Sequence, residues 1–127
     1  MLNTAIIGLG WWGRHIVDSI ADSKKLQIIR GVDTQSTEIK SLVNTQNFPI
    51  TNNLEDALRD KNVEAVILAT PHSLHEEQII RCAHAKKHVF VEKPMTLTAE
   101  GAKKAIEACE LANLILGVGH ERRFEPA

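Results

Sequence analysis

The residues best suited to chemistry come early in the chain, at Gly8-Leu9-Gly10-Trp11-Trp12-Gly13. This G-x-G-x-x-G spacing suits a loop that brings backbone N–H groups close to a pyrophosphate. Gly8 allows a tight turn out of a strand, Gly10 lets the main chain approach the phosphates, and Gly13 lets the next helix pack on a sheet. An apolar run precedes the motif and a helical pattern follows it. We therefore predict that residues 8–13 bind a dinucleotide.

Asp33 stands twenty residues after Gly13, at the end of a second apolar run. A carboxylate at this separation accepts hydrogen bonds from the adenosine ribose hydroxyls and repels a 2′-phosphate. The next three residues, 34–36, carry no positive charge. The sequence therefore favours NAD over NADP, although Arg30 and Lys40 are basic residues near enough in the chain to leave NADP open.

A second motif, Glu92-Lys93-Pro94, follows a later apolar run. Oxidation of an alcohol removes the hydroxyl proton as well as a hydride, and a neutral lysine amine can accept that proton. The positive charge of an oxidised nicotinamide nearby favours the neutral amine, and Pro94 restricts the backbone directly after the lysine. We predict that Lys93 is catalytic and that all three residues contact the cofactor. The alternative is a solvated ion pair.

The segment Thr70-Pro71-His72-Ser73-Leu74-His75 follows another apolar run. Its backbone and the side chains of Thr70, His72 and His75 are predicted to line the cofactor, as is Pro71. Two histidines three residues apart could suggest a metal site. However, no carboxylate or cysteine is clearly placed to complete one, so we expect no metal.

These motifs need strands and helices to position them, and the apolar pattern alternates between the two. Predicted strands cover residues 4–8, 26–33, 64–70, 88–92 and 114–119, with a short one near Ile50. Predicted helices cover residues 12–21, 36–43, 53–58, 73–86 and 98–111, with caps at Asn53 and Thr98 and a capping box at Ser73 to Glu76. The alternation predicts an α/β fold: a doubly wound, mostly parallel Rossmann-type sheet with helices on both faces. All the motifs then lie at the ends of strands, where such sheets bind ligands.

Composition excludes several classes of function. The chain has 15 Lys and Arg against 16 Asp and Glu, so nothing favours binding to nucleic acid or to a membrane surface. The N-terminus has neither a basic region nor a long apolar stretch, so we expect no signal peptide or anchor. Cys82 and Cys109 fall on the apolar sides of predicted helices, which predicts two reduced, buried thiols and a cytoplasmic location.

Taken together, four segments resemble the N-terminal domain of the Gfo/Idh/MocA oxidoreductases, the relatives of glucose–fructose oxidoreductase and inositol 2-dehydrogenase. They are GLGWWG, TPHSLH, HVFVEKP and GHERRFEPA. The resemblance implies NAD(P)-dependent oxidation or reduction of sugars, polyols and related hydroxy compounds. It also implies that Lys93 is the family's catalytic lysine. His120 and Arg122 correspond to a segment that borders the nicotinamide and the substrate.

Family members usually carry a second, open-sheet domain that supplies the substrate pocket and the oligomer interface. We therefore expect residues 1–127 to form one dinucleotide-binding domain without that second domain. Such a domain would bind NAD with little turnover, and would form homo-oligomers only together with the second domain. Two alternatives stay open: a nucleotide-binding regulatory module without chemistry, and an NAD-dependent glycoside hydrolase of the same family. A methyltransferase also fits a glycine-rich loop, but Gly13 and Glu92-Lys93-Pro94 argue against it.

Overall fold

A computed structural model of the chain describes residues 1–34 and 47–127. Within them, six parallel strands form one sheet in the order β3-β2-β1-β4-β5-β6. The strands are β1 (Leu2–Ile7), β2 (Leu26–Val32), β3 (Ile50–Thr51), β4 (Ala65–Leu68), β5 (His88–Glu92) and β6 (Leu116–Gly119). The helices are α1 (Trp11–Ile20), α2 (Leu54–Leu58), α3 (His75–His84) and α4 (Ala99–Leu111), with 3₁₀ turns at His72–Leu74 and Glu121–Phe124. The predicted Rossmann-type fold is confirmed.

The central strands are continuous apolar runs because the sheet is covered on both faces. Every residue of β4 is buried, as are the last four residues of β1. Neighbouring residues of β1 belong to different hydrophobic clusters. Ile7 packs with Ile79 and Cys82 of α3, whereas Ile6 packs with Val17 of α1. Helices therefore lie on both faces, as predicted.

Strand order reverses direction between β1 and β4, which pair with each other in parallel. The loops after these two strands must separate there, because the chain leaves them for opposite faces of the sheet, and this creates a crevice. We call the edge at which the strands end the carboxyl edge, and the opposite one the amino edge. The crevice opens at the carboxyl edge.

Most predicted elements lie where the sequence places them. Asn53 caps α2 by accepting a hydrogen bond from the Glu55 N–H at 3.0 Å, and Thr98 caps α4 by accepting one from the Gly101 N–H at 3.0 Å. Both predicted caps are confirmed. The helix predicted over residues 36–43 lies outside the described residues.

The capping box predicted at Ser73 is wrong. The backbone first makes a 3₁₀ turn, in which the Leu74 N–H donates to the Pro71 carbonyl at 3.0 Å, and α3 begins only at His75 with no side-chain cap. The helix also ends at His84 rather than near residue 86, because Lys86 adopts a left-handed φ of 61° that no helix can continue through.

The two cysteines are buried and unpaired, as predicted. Burial, and secondarily the neighbouring Cys109, raises the pKa of the Cys82 thiol to about 12. Burial also raises the pKa of Cys109. Within the described residues, no helix combines the length and apolar character needed to cross a bilayer.

Candidate functional site

The glycine loop between β1 and α1 lies at the crevice, and its glycines have different surroundings. Gly8 has a φ of +92°, and a Cβ there would overlap the Ala69 carbonyl. A Cβ at Gly13 would overlap the Gly8 carbonyl oxygen. A Cβ at Gly10 would meet nothing within 4 Å. Gly8 and Gly13 therefore let backbone segments pack closely, whereas Gly10 leaves open space beside the loop.

Helix α1 begins directly after Gly10 and points its N-terminus at this space. No side chain of the described residues caps it, and its first turn contains no acidic residue. The first N–H groups of a helix lack intrahelical partners, and the helix dipole favours negative charge there. The start of α1 can therefore accept an anion such as a phosphate.

Asp33 lies directly after β2 and faces the same loop. It is buried, and its Oδ2 accepts a hydrogen bond from the Leu9 N–H at 2.6 Å. Its own N–H donates to the Thr51 carbonyl at 2.9 Å. The carboxylate predicted to contact a ribose is thus held against the glycine loop.

A first cavity of about 490 Å³ lies between the glycine loop and the ends of β2 and β4. Five of the predicted site residues line it: Gly8, Gly10, Asp33, Thr70 and Pro71. Other residues that line this cavity were not predicted as cofactor contacts, among them Thr34, Asn52, Leu54, Leu74 and Gln78. Asn52 directly follows β3 and Thr34 is the second residue after β2, and such positions at strand ends are a signal that could have been used.

A second cavity of about 340 Å³ adjoins the first and lies toward the end of β5. Ala69 and Thr70 line both cavities. The other residues of its wall are Trp12, His72, Glu92, Lys93 and Glu121, of which only Glu121 was not predicted. The structure therefore brings residues of the glycine motif and of Glu92-Lys93-Pro94 to two adjacent cavities at the carboxyl edge.

The comparisons with known proteins agree with this geometry. The profile of the family described as "Oxidoreductase family, NAD-binding Rossmann fold" (GFO_IDH_MocA) matches residues 2–120. The chain belongs to the Gfo/Idh/MocA oxidoreductase family. The resemblance inferred from the four sequence segments is confirmed, and membership makes NAD the cofactor class of this Rossmann domain.

Individual relatives match along nearly the whole chain. The scyllo-inositol 2-dehydrogenase (NAD(+)) of Bacillus subtilis (strain 168) is 32% identical over 127 residues, covering 97% of this chain and 36% of the relative. The 2,7-anhydro-N-acetylneuraminate hydratase of Escherichia coli (strain K12) is 30% identical over 128 residues, covering 98% of this chain and 33% of the relative. The crystal structure of the WlbA dehydrogenase from Bordetella pertussis in complex with NADH and UDP-GlcNAcA superposes with a TM-score of 0.90 at 28% identity, covering 96% and 38%. The chain thus spans a little over one third of the length of these relatives.

Several residues predicted as cofactor contacts line neither cavity. They are Leu9, Trp11, Gly13, His75, Pro94, His120 and Arg122. Leu9 is buried behind the loop, so its backbone N–H rather than its side chain faces Asp33. Trp11 is 74% exposed and stacks on Trp12 and His15, with ring centroids 5.6 and 5.7 Å away. His120 and Arg122 are exposed beyond β6.

Trp12 has a different place from its neighbour. It lines the second cavity, and its buried indole Nε1–H has no hydrogen-bond partner among the described residues. A buried donor without a partner costs about 1–3 kcal/mol. That nitrogen is shielded from solvent, so other atoms of Trp12 line the cavity.

His72 and His75 do not form a metal site with other residues described by the structure. Their ring centroids are 5.7 Å apart, but no group of three His, Cys, Asp or Glu side chains that could hold a metal occurs in residues 1–34 and 47–127. His72 lines the second cavity, whereas His75 is fully buried.

Proposed function

We propose that this chain holds NAD along its two adjacent cavities and forms the cofactor-binding part of an oxidoreductase. The reaction is hydride transfer between the nicotinamide and the hydroxyl-bearing carbon of a sugar, polyol or related compound. The observation that carries the proposal is that a cavity at the open glycine loop and a cavity lined by Lys93 lie side by side, with Thr70 in the wall of both.

The residues fit a dinucleotide in one orientation. Asp33, Thr34 and Asn52 would hold the adenosine, since they surround the end of the first cavity beyond the glycine loop. The open side of Gly10 and the start of α1 would hold the pyrophosphate. The second cavity, with His72 and Lys93 in its wall, would then hold the nicotinamide end.

The same residues support a preference for NAD over NADP. The carboxylate of Asp33 would repel a 2′-phosphate. Arg30, a basic residue that left NADP open, is already paired with Asp60 at 2.9 Å. Lys40 lies outside the described residues.

Bound NAD supplies the carbon that accepts the hydride. Lys93 is exposed and lines the second cavity, so its Nζ can reach a substrate hydroxyl there. As the substrate C–H bond breaks and the hydride leaves, the Lys93 amine takes the hydroxyl proton and the carbonyl forms. The reverse reaction returns the proton from Lys93 to the oxygen.

Residues 1–127 form the dinucleotide-binding domain in this proposal. The relatives are nearly three times longer, so we assign the rest of the substrate pocket and the oligomer interface to a second domain, and expect little turnover without it. A cytoplasmic location belongs to the proposal and is supported by the two buried, unpaired thiols.

A second candidate is a reaction without net oxidation, in which the hydride returns to the substrate, as in glycoside cleavage. The relative named as a hydratase favours it. Mass spectrometry of the products separates the two candidates in the longest natural polypeptide that contains this sequence. Accumulation of NADH with a carbonyl product would exclude the second candidate, and a product of unchanged oxidation state would exclude net oxidation.

The test of cofactor binding is a calorimetric titration of the chain with NADH and with NADPH. We expect NADH to bind at least about tenfold more tightly, which corresponds to about 1.4 kcal/mol. Asp33→Ser should reduce the difference in affinity between NADH and NADPH. Asp18→Ser, at an exposed position of α1, should leave that difference unchanged. Binding of neither nucleotide would end the proposal.

The test of chemistry is Lys93→Ala in the longest natural polypeptide that contains this sequence. Loss of a proton-transfer group should lower turnover by about 10²–10⁴-fold, a much larger effect than any change in NADH affinity. Undiminished hydride transfer would remove Lys93 from the mechanism. NADH binding with no turnover of any polyol or sugar would instead support a regulatory module.

A further inference from the structure

A fully buried histidine lies behind the crevice at the first residue of α3. His75 Nδ1 lies 2.8 Å from the Pro94 carbonyl oxygen, and Nε2 lies 3.0 Å from the Thr70 carbonyl oxygen. Buried polar side chains are normally hydrogen-bonded, and here both ring nitrogens have partners. The two partners belong to different loops of the carboxyl edge, one after β4 and one after β5.

These two loops carry the walls of the second cavity. Thr70 lines both cavities, and Pro94 directly follows Lys93. Thr70 has a further support from α3, because its Oγ1 donates to Gln78 Oε1 at 2.5 Å. The hydrogen bond that the described residues make to the Pro94 carbonyl comes from His75. The Lys93 loop therefore depends on His75 more than the Thr70 loop does.

We propose that His75 is a positioning residue that fixes Lys93 at the second cavity by holding the carbonyl of Pro94. This inference rests on the role proposed above for Lys93. His75 itself touches neither cavity, so it acts through the backbone of the loop.

The two hydrogen bonds can be separated by substitution. A carbonyl oxygen only accepts, so a ring nitrogen bonds to the carbonyl that faces it only when it carries a proton. A neutral imidazole carries one such proton and so donates to one of the two carbonyls, whereas an imidazolium donates to both. The amide nitrogen of Asn matches the position of Nδ1, and that of Gln matches Nε2. His75→Asn therefore keeps the bond to Pro94, and His75→Gln keeps the bond to Thr70.

The experiment measures how far NAD⁺ shields Lys93 from a brief pulse of acetic anhydride, read by mass spectrometry of the peptide. In the unsubstituted chain, saturating NAD⁺ should slow acetylation of Lys93 about fivefold or more. His75→Asn should keep that protection within about twofold, and His75→Gln should lose most of it. Lys104, exposed on α4, is the internal reference, and its rate should not change. Calorimetry should show NADH affinities within about threefold of each other for all three proteins, because the adenosine end is untouched.

The outcomes distinguish the two proposals. Absence of protection in the unsubstituted chain would overturn the assignment of Lys93 to the nicotinamide end. Protection there, together with equal losses in the two variants or a larger loss in His75→Asn, would overturn the positioning role and leave the function standing. If either variant fails to fold, ¹⁵N NMR of the unsubstituted histidine ring decides instead. A proton on Nδ1 supports the bond to Pro94, and its absence overturns the inference.

Discussion

Strand β5 has a lysine at each end, and the two lysines have opposite surroundings. Lys93, just after the strand, is exposed and lines a cavity at the carboxyl edge. Lys87, just before it, is 7% exposed at the amino edge, and its Nζ donates to the carbonyls of Asp60 at 2.8 Å and Val63 at 2.6 Å. The ammonium group of Lys87 is thus hydrogen-bonded by the protein at the amino edge, whereas Lys93 lines an open cavity at the carboxyl edge.

Asp60, next to Lys87 at the amino edge, follows the same rule. The carboxylate of Asp60 accepts hydrogen bonds from the Asn62 N–H at 2.9 Å and from Arg30 at 2.9 Å. The polar groups there satisfy one another, which stabilises the fold. At the carboxyl edge, Lys93 lines a cavity instead. The comparison teaches that exposure to a cavity, rather than residue type, marks the groups available to a ligand.

The largest expected effect is a loss of stability in the glycine loop at the carboxyl edge. It distinguishes a glycine needed for packing from one needed for ligand binding. Gly13→Ala should destabilise the fold by about 3 kcal/mol or more, because its Cβ would overlap the Gly8 carbonyl oxygen. Gly10→Ala should cost less than about 1 kcal/mol, because nothing lies within 4 Å of its Cβ, yet weaken NADH binding about tenfold or more. Urea denaturation and calorimetry measure the two quantities. Equal loss of stability in the two variants would contradict this division.

The next largest expected effect is the change in stability when either lysine next to β5 is replaced by methionine. Lys87→Met should destabilise the fold by about 1–3 kcal/mol, because the buried Val63 carbonyl loses its side-chain donor. The part-buried Asp60 carbonyl loses Lys87 as well but keeps the Val63 N–H at 3.2 Å. NADH affinity of the folded variant should not change. The matched control, Lys93→Met, should alter the free energy of unfolding by no more than about 0.5 kcal/mol. A destabilised Lys93→Met or an unaffected Lys87→Met would break the comparison between the edges.

Sequence alone predicts what depends on near neighbours in the chain. The caps at Asn53 and Thr98 and the turn at Gly8 each depend on residues within a few positions, so their signals survive in the sequence. Gln78 and Glu121 reach the crevice only because separate elements converge, and no local pattern indicates this.

His75 is an intermediate case between these two kinds of residue. Its side chain was predicted to line the cofactor, but the structure buries it behind the crevice. It stands four and seven residues before the buried Ile79 and Cys82, so helical periodicity carried a signal for its burial. The polar imidazole favoured the prediction that His75 lines the cofactor site. Its position on the buried face of α3 and its two carbonyl partners place the ring behind the site instead.

The smallest effect concerns the dependence of stability on pH at the amino edge. The Asn62 N–H, with Arg30 beside it, lowers the pKa of Asp60 below its usual value near 3.8. A carboxyl whose pKa is lower in the folded state binds a proton more readily when unfolded, so it stabilises the fold above that usual value. This contribution is lost as the pH falls through the lower, folded pKa. Asp60→Asn should therefore be less stable than the unsubstituted chain at neutral pH, by about 1 kcal/mol or less. The difference should shrink below about pH 4.

Urea denaturation at several pH values between 2 and 7 measures this difference. Asp56→Asn, an exposed position in the first turn of α2, is the control, and its offset from the unsubstituted chain should be smaller than that of Asp60→Asn. NADH binding at neutral pH should be the same in all three proteins, because neither carboxylate lines a cavity. A change in NADH affinity on losing the Asp60 charge would show that the amino edge influences the crevice, and the separation of the edges into stabilising and binding regions would then be wrong.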